Sequence, residues 1–92
     1  MLESFYYVYV LRSSLDNKFY TGFTGDLDKR LKMHNSGKVT STKDRRPFEL
    51  IYYEGCLCQS DALHREKYLK TTYGKRYLYS RLKNYLKVEQ SG

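Results

Sequence analysis

The stretch Phe5-Tyr6-Tyr7-Val8-Tyr9-Val10-Leu11-Arg12 constrains the fold of this chain more than any other feature. Aromatic and β-branched side chains crowd a helix but pack well on a pleated surface, and the run has the length of a strand. Residues 18–23 form a second such run, and Ser13, Ser14, Asp16 and Asn17 between them supply turn chemistry. The pair is expected to form a β-hairpin that puts Tyr7, Tyr9 and Leu11 on one face of its first strand and brings Tyr9 near Tyr20. Gly22, inside the second strand, marks a place where backbone or substrate approaches closely.

Beyond the hairpin, Asp26 can cap a helix through Leu27, Arg30, Leu31 and His34 that stops at Asn35-Ser36-Gly37. A polar, basic loop over residues 38–46 leads to the only proline, Pro47, and residues 48–54 are strand-like again. Ser60 opens a helix to about Leu69. Gly74 separates it from a last helix in which Leu78, Leu82, Tyr85 and Leu86 recur at helical spacing. The expected order is ββαβαα, and at 92 residues this is one α+β domain over residues 1–88 with a short tail at 89–92. Leu31 and Leu82 are expected in its small core. The sequence has neither an apolar run of about 18 residues nor a charged segment followed by an apolar one, so no membrane span or secretory signal is expected, and the expected location is cytoplasmic.

Charge is unevenly placed. The 17 Lys and Arg against 10 Asp and Glu give a net +7. Residues 1–64 contribute only +1 of it, and residues 65–88 carry eight basic side chains against the single acid Glu66. That excess points to a polyanionic partner, and to nucleic acid ahead of a membrane surface because the basic stretch lacks apolar bulk. Eleven Tyr suit base stacking, although most are expected as strand residues and core filler. Cys56 and Cys58, spaced C-x-C, fit neither an ordinary disulfide nor a zinc knuckle and are expected to be reduced and structural.

Three polar side chains fall on faces that should be apolar. At about 100° per residue, Arg30 and His34 lie beside Leu27 and Leu31 on the first helix. Glu66 lies on the inward stripe of its helix with Ala62, Leu69 and Tyr73, where an uncompensated carboxylate is costly. Its compensation could be Lys70 at i+4 or Arg30 across the edge of the core. Convergence of all three on one layer points to a functional site.

Tyr7-Val8-Tyr9, then Tyr20-Thr21-Gly22, then Asp26-Leu27, Arg30-Leu31 and Asn35, and finally Ala62-Leu63-His64-Arg65-Glu66-Lys67, in this order and spacing, resemble the GIY-YIG nuclease superfamily. The resemblance is greatest to its small stand-alone bacterial members, and the stretches His34-Asn35-Ser36-Gly37 and Arg45-Arg46-Pro47 look like that subgroup. It implies a three-stranded antiparallel sheet flanked by helices and a divalent-metal phosphodiesterase. By the same resemblance Tyr9 and Tyr20 are the motif tyrosines, Arg30 the helix arginine that grips phosphate, His34 the histidine one turn later, and Glu66 the ligand of a single Mg²⁺ or Mn²⁺. Tyr9 would orient or deprotonate the attacking water, with His34 the competing base.

The implied partner is nucleic acid, DNA favoured over RNA, with no membrane partner. Lys38, Lys43, Arg45, Arg46, Lys67, Lys70, Lys75 and Arg76 are expected to hold its backbone without reading sequence. The alternative is a nucleic-acid-binding module that keeps the fold but does not cut. The feature favouring it is the run Leu78-Tyr79-Ser80-Arg81, where many nucleases of this kind carry an asparagine.

Overall fold

The structure, a computed structural model, describes the backbone of residues 4–91 and the side chains of residues 4–87. The apolar run forms β1 (Tyr6–Ser13) and its hairpin partner β2 (Phe19–Thr24). These are followed by α1 (Leu27–Asn35), β3 (Phe48–Cys56), α2 (Gln59–Leu69), α3 (Thr72–Arg81) and α4 (Lys83–Ser91). The sheet is antiparallel with β1 central, in the order β2-β1-β3. The architecture is the expected α+β one, with one helix more than expected: the order is ββαβααα.

A central strand is covered on both faces, and the alternation in β1 divides the core accordingly. Val8 and Val10 point toward Ala62, Leu69 and Leu78 on the side of α2 and α3. Tyr9 and Leu11 point the other way and pack with Phe48, against Leu27 and Leu31 of α1. Asp26 caps α1 as expected, its carboxylate accepting from Lys29 N at 3.1 Å.

The last helical region departs from expectation at Gly74 and at Leu82. Gly74 sits in the first turn of α3 and does not divide two helices. A Cβ there would run into the carbonyl oxygen of Tyr68 and the Cα of Leu69, so a glycine is what allows α3 to turn so tightly off the end of α2. The break comes at Leu82, the C-cap of α3, where the backbone leaves helical geometry before α4 starts. Leu82 is accordingly half-buried, Leu31 of α1 is half-buried against the Tyr9 cluster, and Leu78 and Leu69 are the fully buried leucines of the layer formed by α2 and α3. The expected boundary between domain and tail at 88/89 falls within α4, and Gly92 lies outside the described residues.

Two polar clamps hold the basic loop to the sheet. Asn35 mimics a strand neighbour, accepting from Phe48 N at 2.7 Å and donating to Phe48 O at 3.0 Å. The buried Ser13 hydroxyl donates to Arg45 O at 2.6 Å. No helix among the described residues is long and apolar enough to cross a membrane.

Candidate active site

The site is built on the α1 face of the sheet, where the alternation of β1 aims Tyr9 inward. Tyr9 and Gly22 face each other across β1 and β2, and a Cβ on Gly22 would overlap the phenol ring of Tyr9. The close approach expected at Gly22 is thus a side chain lying on bare backbone. Tyr9 is 2% exposed. Its Oη lies 2.8 Å from His34 Nε2 and accepts from Arg30 Nε at 3.3 Å. Arg30 and His34 stand one turn apart on α1, which is why both reach the same hydroxyl.

His34 is fully buried in an aromatic box. The rings of Tyr20, Tyr9 and Phe48 approach it edge-on with centroids 5.0, 5.7 and 6.0 Å away. Its other nitrogen, Nδ1, lies 2.8 Å from Thr42 Oγ1. Burial, reinforced by the Arg30 charge, pushes the His34 pKa down to about 4, so the ring is neutral at physiological pH. Burial also raises the Tyr9 pKa. The bond and charge of Arg30 oppose that shift without cancelling it, and the charge of Glu66 adds to it. Tyr9 is therefore a phenol at rest and not a phenolate.

Glu66 sits on α2, on the inward stripe with Ala62 and Leu69 but partly exposed. Tyr73, grouped with that stripe from sequence, lies on α3 and is exposed. Of the two partners weighed for Glu66, the structure selects Lys70, whose Nζ lies 3.0 Å from Oε2. Among the described residues no three His, Cys, Asp or Glu side chains gather into a cluster. A lone carboxylate fits a hard ion such as Mg²⁺ or Mn²⁺, which keeps water or phosphate oxygens as its other ligands, and not a closed zinc cage.

Beside the box, a groove of about 400 Å³ opens between β2 and α3, lined by Lys18, Tyr20, Lys70, Lys75 and Tyr79 among others. Phe19 and Tyr79 stack along it, 5.1 Å between centroids and 17° apart. Tyr20 belongs to both the box and the groove.

The expected backbone-binding residues divide into two groups. Lys38, Lys43, Lys67 and Lys75 are exposed, and Arg76, also exposed, lies over the Tyr73 ring. Arg45 is bound to Asp16 at 3.0 Å, Arg46 Nε donates to Lys43 O at 2.7 Å, and Lys70 holds Glu66. Arg65, which adds to the basic count of the last quarter, forms a double hydrogen bond to Glu54 and lies over the rings of Tyr68 and Tyr77. Sequence reasoning missed Thr42, because a loop has no periodicity from which a buried side chain can be inferred.

The family model described as the GIY-YIG catalytic domain matches residues 5–80. The chain is similar to the UPF0213 protein of Bacillus pumilus (strain SAFR-032), with 45% identity over 76 residues covering 80% of this chain and 76% of that one. UPF0213 protein YazA of Bacillus subtilis (strain 168) is 43% identical over 76 residues, with the same shares. The solution NMR structure of UPF0213 protein BH0048 from Bacillus halodurans is 35% identical, with a TM-score of 0.52 and 83% of each chain covered. The chain belongs to the GIY-YIG family. Within that family it belongs with the small bacterial UPF0213 proteins.

Proposed function

We propose that this protein is an endonuclease that hydrolyses phosphodiester bonds of nucleic acid with one divalent cation. The observation that carries the reading is the chain from the half-buried Arg30 through the buried Tyr9 to the buried His34, with the charge of Glu66 adding to the field at Tyr9. Burying such a chain is costly unless every member is bonded, and structural stability alone does not call for it.

Arg30 commits its Nε to Tyr9, is also hydrogen-bonded to Tyr20, and offers the remaining N–H groups of its planar fork to a phosphate. The Tyr9 oxygen orients the attacking water. As the water gives its proton to that oxygen, the phenolic proton passes to His34 Nε2. At rest this transfer is uphill, because burial and the Arg30 charge hold the His34 pKa near 4. A phosphate on Arg30 offsets part of that charge and eases the transfer, so substrate itself readies the relay. Tyr20 closes the box against water. A Mg²⁺ or Mn²⁺ held by Glu66 would supply charge neutralisation at the scissile phosphate and the leaving oxygen. Lys38, Lys43, Lys67, Lys75 and Arg76 hold the backbone, and DNA is favoured over RNA by the family resemblance.

The second reading, a binding module that does not cut, is favoured by one observation, the cation already seated on Glu66. Labelled single-stranded, duplex and branched DNA and RNA, incubated with Mg²⁺ or Mn²⁺, decide between the two. Cleavage that disappears in Glu66→Ala and Tyr9→Phe is the expected result. Binding without cleavage, unaffected by either substitution, would leave the module.

A further inference from the structure

The geometry points to Thr42 as a positioning residue that holds His34 in the tautomer able to receive the Tyr9 proton. The inference rests on the proton relay proposed above, but its first test needs neither metal nor nucleic acid.

Thr42 is fully buried, and it is the N-cap of the short 3-10 turn Lys43–Arg45. A threonine at an N-cap ordinarily turns its oxygen back to accept from the helix N–H groups. Here no such bond forms. Oγ1 instead faces inward, 2.8 Å from His34 Nδ1 and 3.4 Å from the Val39 carbonyl oxygen.

The protons of this network can be placed by requiring an acceptor for each. Arg30 Nε–H can only donate, and it donates to Tyr9 Oη. The Val39 carbonyl can only accept. With the imidazole proton on Nδ1, the Tyr9 hydroxyl donates to Nε2, Nδ1–H donates to Thr42 Oγ1, and the Thr42 hydroxyl donates to Val39 O. Every proton then has an acceptor. With the proton on Nε2, both that group and Arg30 point at Tyr9 Oη, and the phenolic proton has no acceptor in the network. An unmet buried donor is disfavoured, so the first arrangement is selected. It is also the one in which Nε2 presents a lone pair to Tyr9, as the relay requires. Free imidazole favours the opposite tautomer, so the preference is one that the protein imposes.

The test is the nitrogen chemical shifts of His34 in ¹⁵N-labelled protein near neutral pH, for the wild type, Thr42→Val and Thr42→Ser. Expected are a proton on Nδ1 in the wild type, a shift toward Nε2 protonation in Thr42→Val, and the wild-type pattern in Thr42→Ser, which keeps the hydroxyl. On nucleic acid, Thr42→Val should lose about tenfold or more in kcat with little change in KM, and Thr42→Ser should recover most of it. A wild-type proton on Nε2 overturns the inference, even if Thr42→Val fails to fold. So does a Thr42→Val protein that keeps the wild-type tautomer. If the tautomers behave as expected while no form cuts any substrate, it is the nuclease reading that falls, and Thr42 keeps its hold on His34.

Discussion

Lys70 Nζ lies 3.0 Å from Glu66 Oε2, so the carboxylate suited to hold a metal is already matched by a side-chain cation. The pair is i,i+4, with Lys70 at the C-cap of α2 and about half exposed. Pairs of this kind contribute roughly 0.2–0.5 kcal/mol. A divalent ion would therefore displace Lys70 at small cost, and the released ammonium would remain beside the groove between β2 and α3.

This gives Glu66 and Lys70 opposite signatures. Glu66→Gln should change stability by less than about 1 kcal/mol and abolish the stabilisation that Mn²⁺ gives the wild type. Lys70→Met, which removes the competing cation, should tighten Mn²⁺ binding several-fold. Thermal melts across a Mn²⁺ titration check both. A metal-insensitive wild type together with a clearly destabilised Gln variant would make the ion pair purely structural.

The buried histidine predicts an acid limb in stability. The folded pKa of His34 is lowered to about 4 from its ordinary 6.5, so the folded state favours the neutral ring. The resulting contribution is fully present above pH 6.5 and is lost as pH falls toward 4. A depression of that size corresponds to roughly 3 kcal/mol. Urea unfolding of wild type and His34→Gln between pH 7.5 and 4 should show a steeper loss in the wild type. Parallel curves would mean that His34 is not held neutral by the fold.

Most of the fold was legible in the sequence because its elements carry strong local signals. The aromatic run of β1, the Asp26 cap and the Asn35-Ser36-Gly37 stop each depend on a few neighbouring residues. Arg30 and His34 were legible as site residues for a related reason: helical periodicity places polar groups where apolar ones belong. The division of α3 from α4 was not legible, since Leu78, Leu82 and Leu86 keep a helical spacing across a break that is made by backbone geometry at Leu82 alone. Thr42 and the commitments of Arg45 and Arg65 were hidden for another reason. Their partners lie 8, 29 and 11 residues away, in elements that meet only in the folded chain. Basic composition therefore overstated the charge available to a nucleic acid.

That overstatement can be measured. If exposed lysines carry the phosphate contacts, log Kd should vary with log salt with a slope of several units, and Lys75→Glu should reduce it by about one to two. Arg45→Ala should leave the slope nearly unchanged, because Asp16 already engages its guanidinium. Fluorescence anisotropy of a labelled oligonucleotide across a salt series reads both. Equal effects at the two positions would mean that Arg45 leaves Asp16 to bind phosphate, and a flat response in the wild type would remove the nucleic-acid reading.

Gly22 offers the sharpest test of how the fold holds the site. The Cβ of an alanine there would meet the hydroxyl and Cζ of Tyr9. The ring cannot easily withdraw, because its face is enclosed and its hydroxyl is held by His34 at 2.8 Å and by Arg30 at 3.3 Å. Gly22→Ala should therefore cost about 1–3 kcal/mol, the usual range for overpacking, and should pull Tyr9 off His34 so that cleavage falls with it. In Tyr9→Phe those two bonds are gone and the ring can shift. Adding Gly22→Ala to that background should destabilise by less than it does in the wild type, giving a coupling free energy between the two positions. Additive losses in a double-mutant cycle by urea denaturation would show that the strain falls on the strand backbone, and that Gly22 serves the hairpin and not the position of Tyr9.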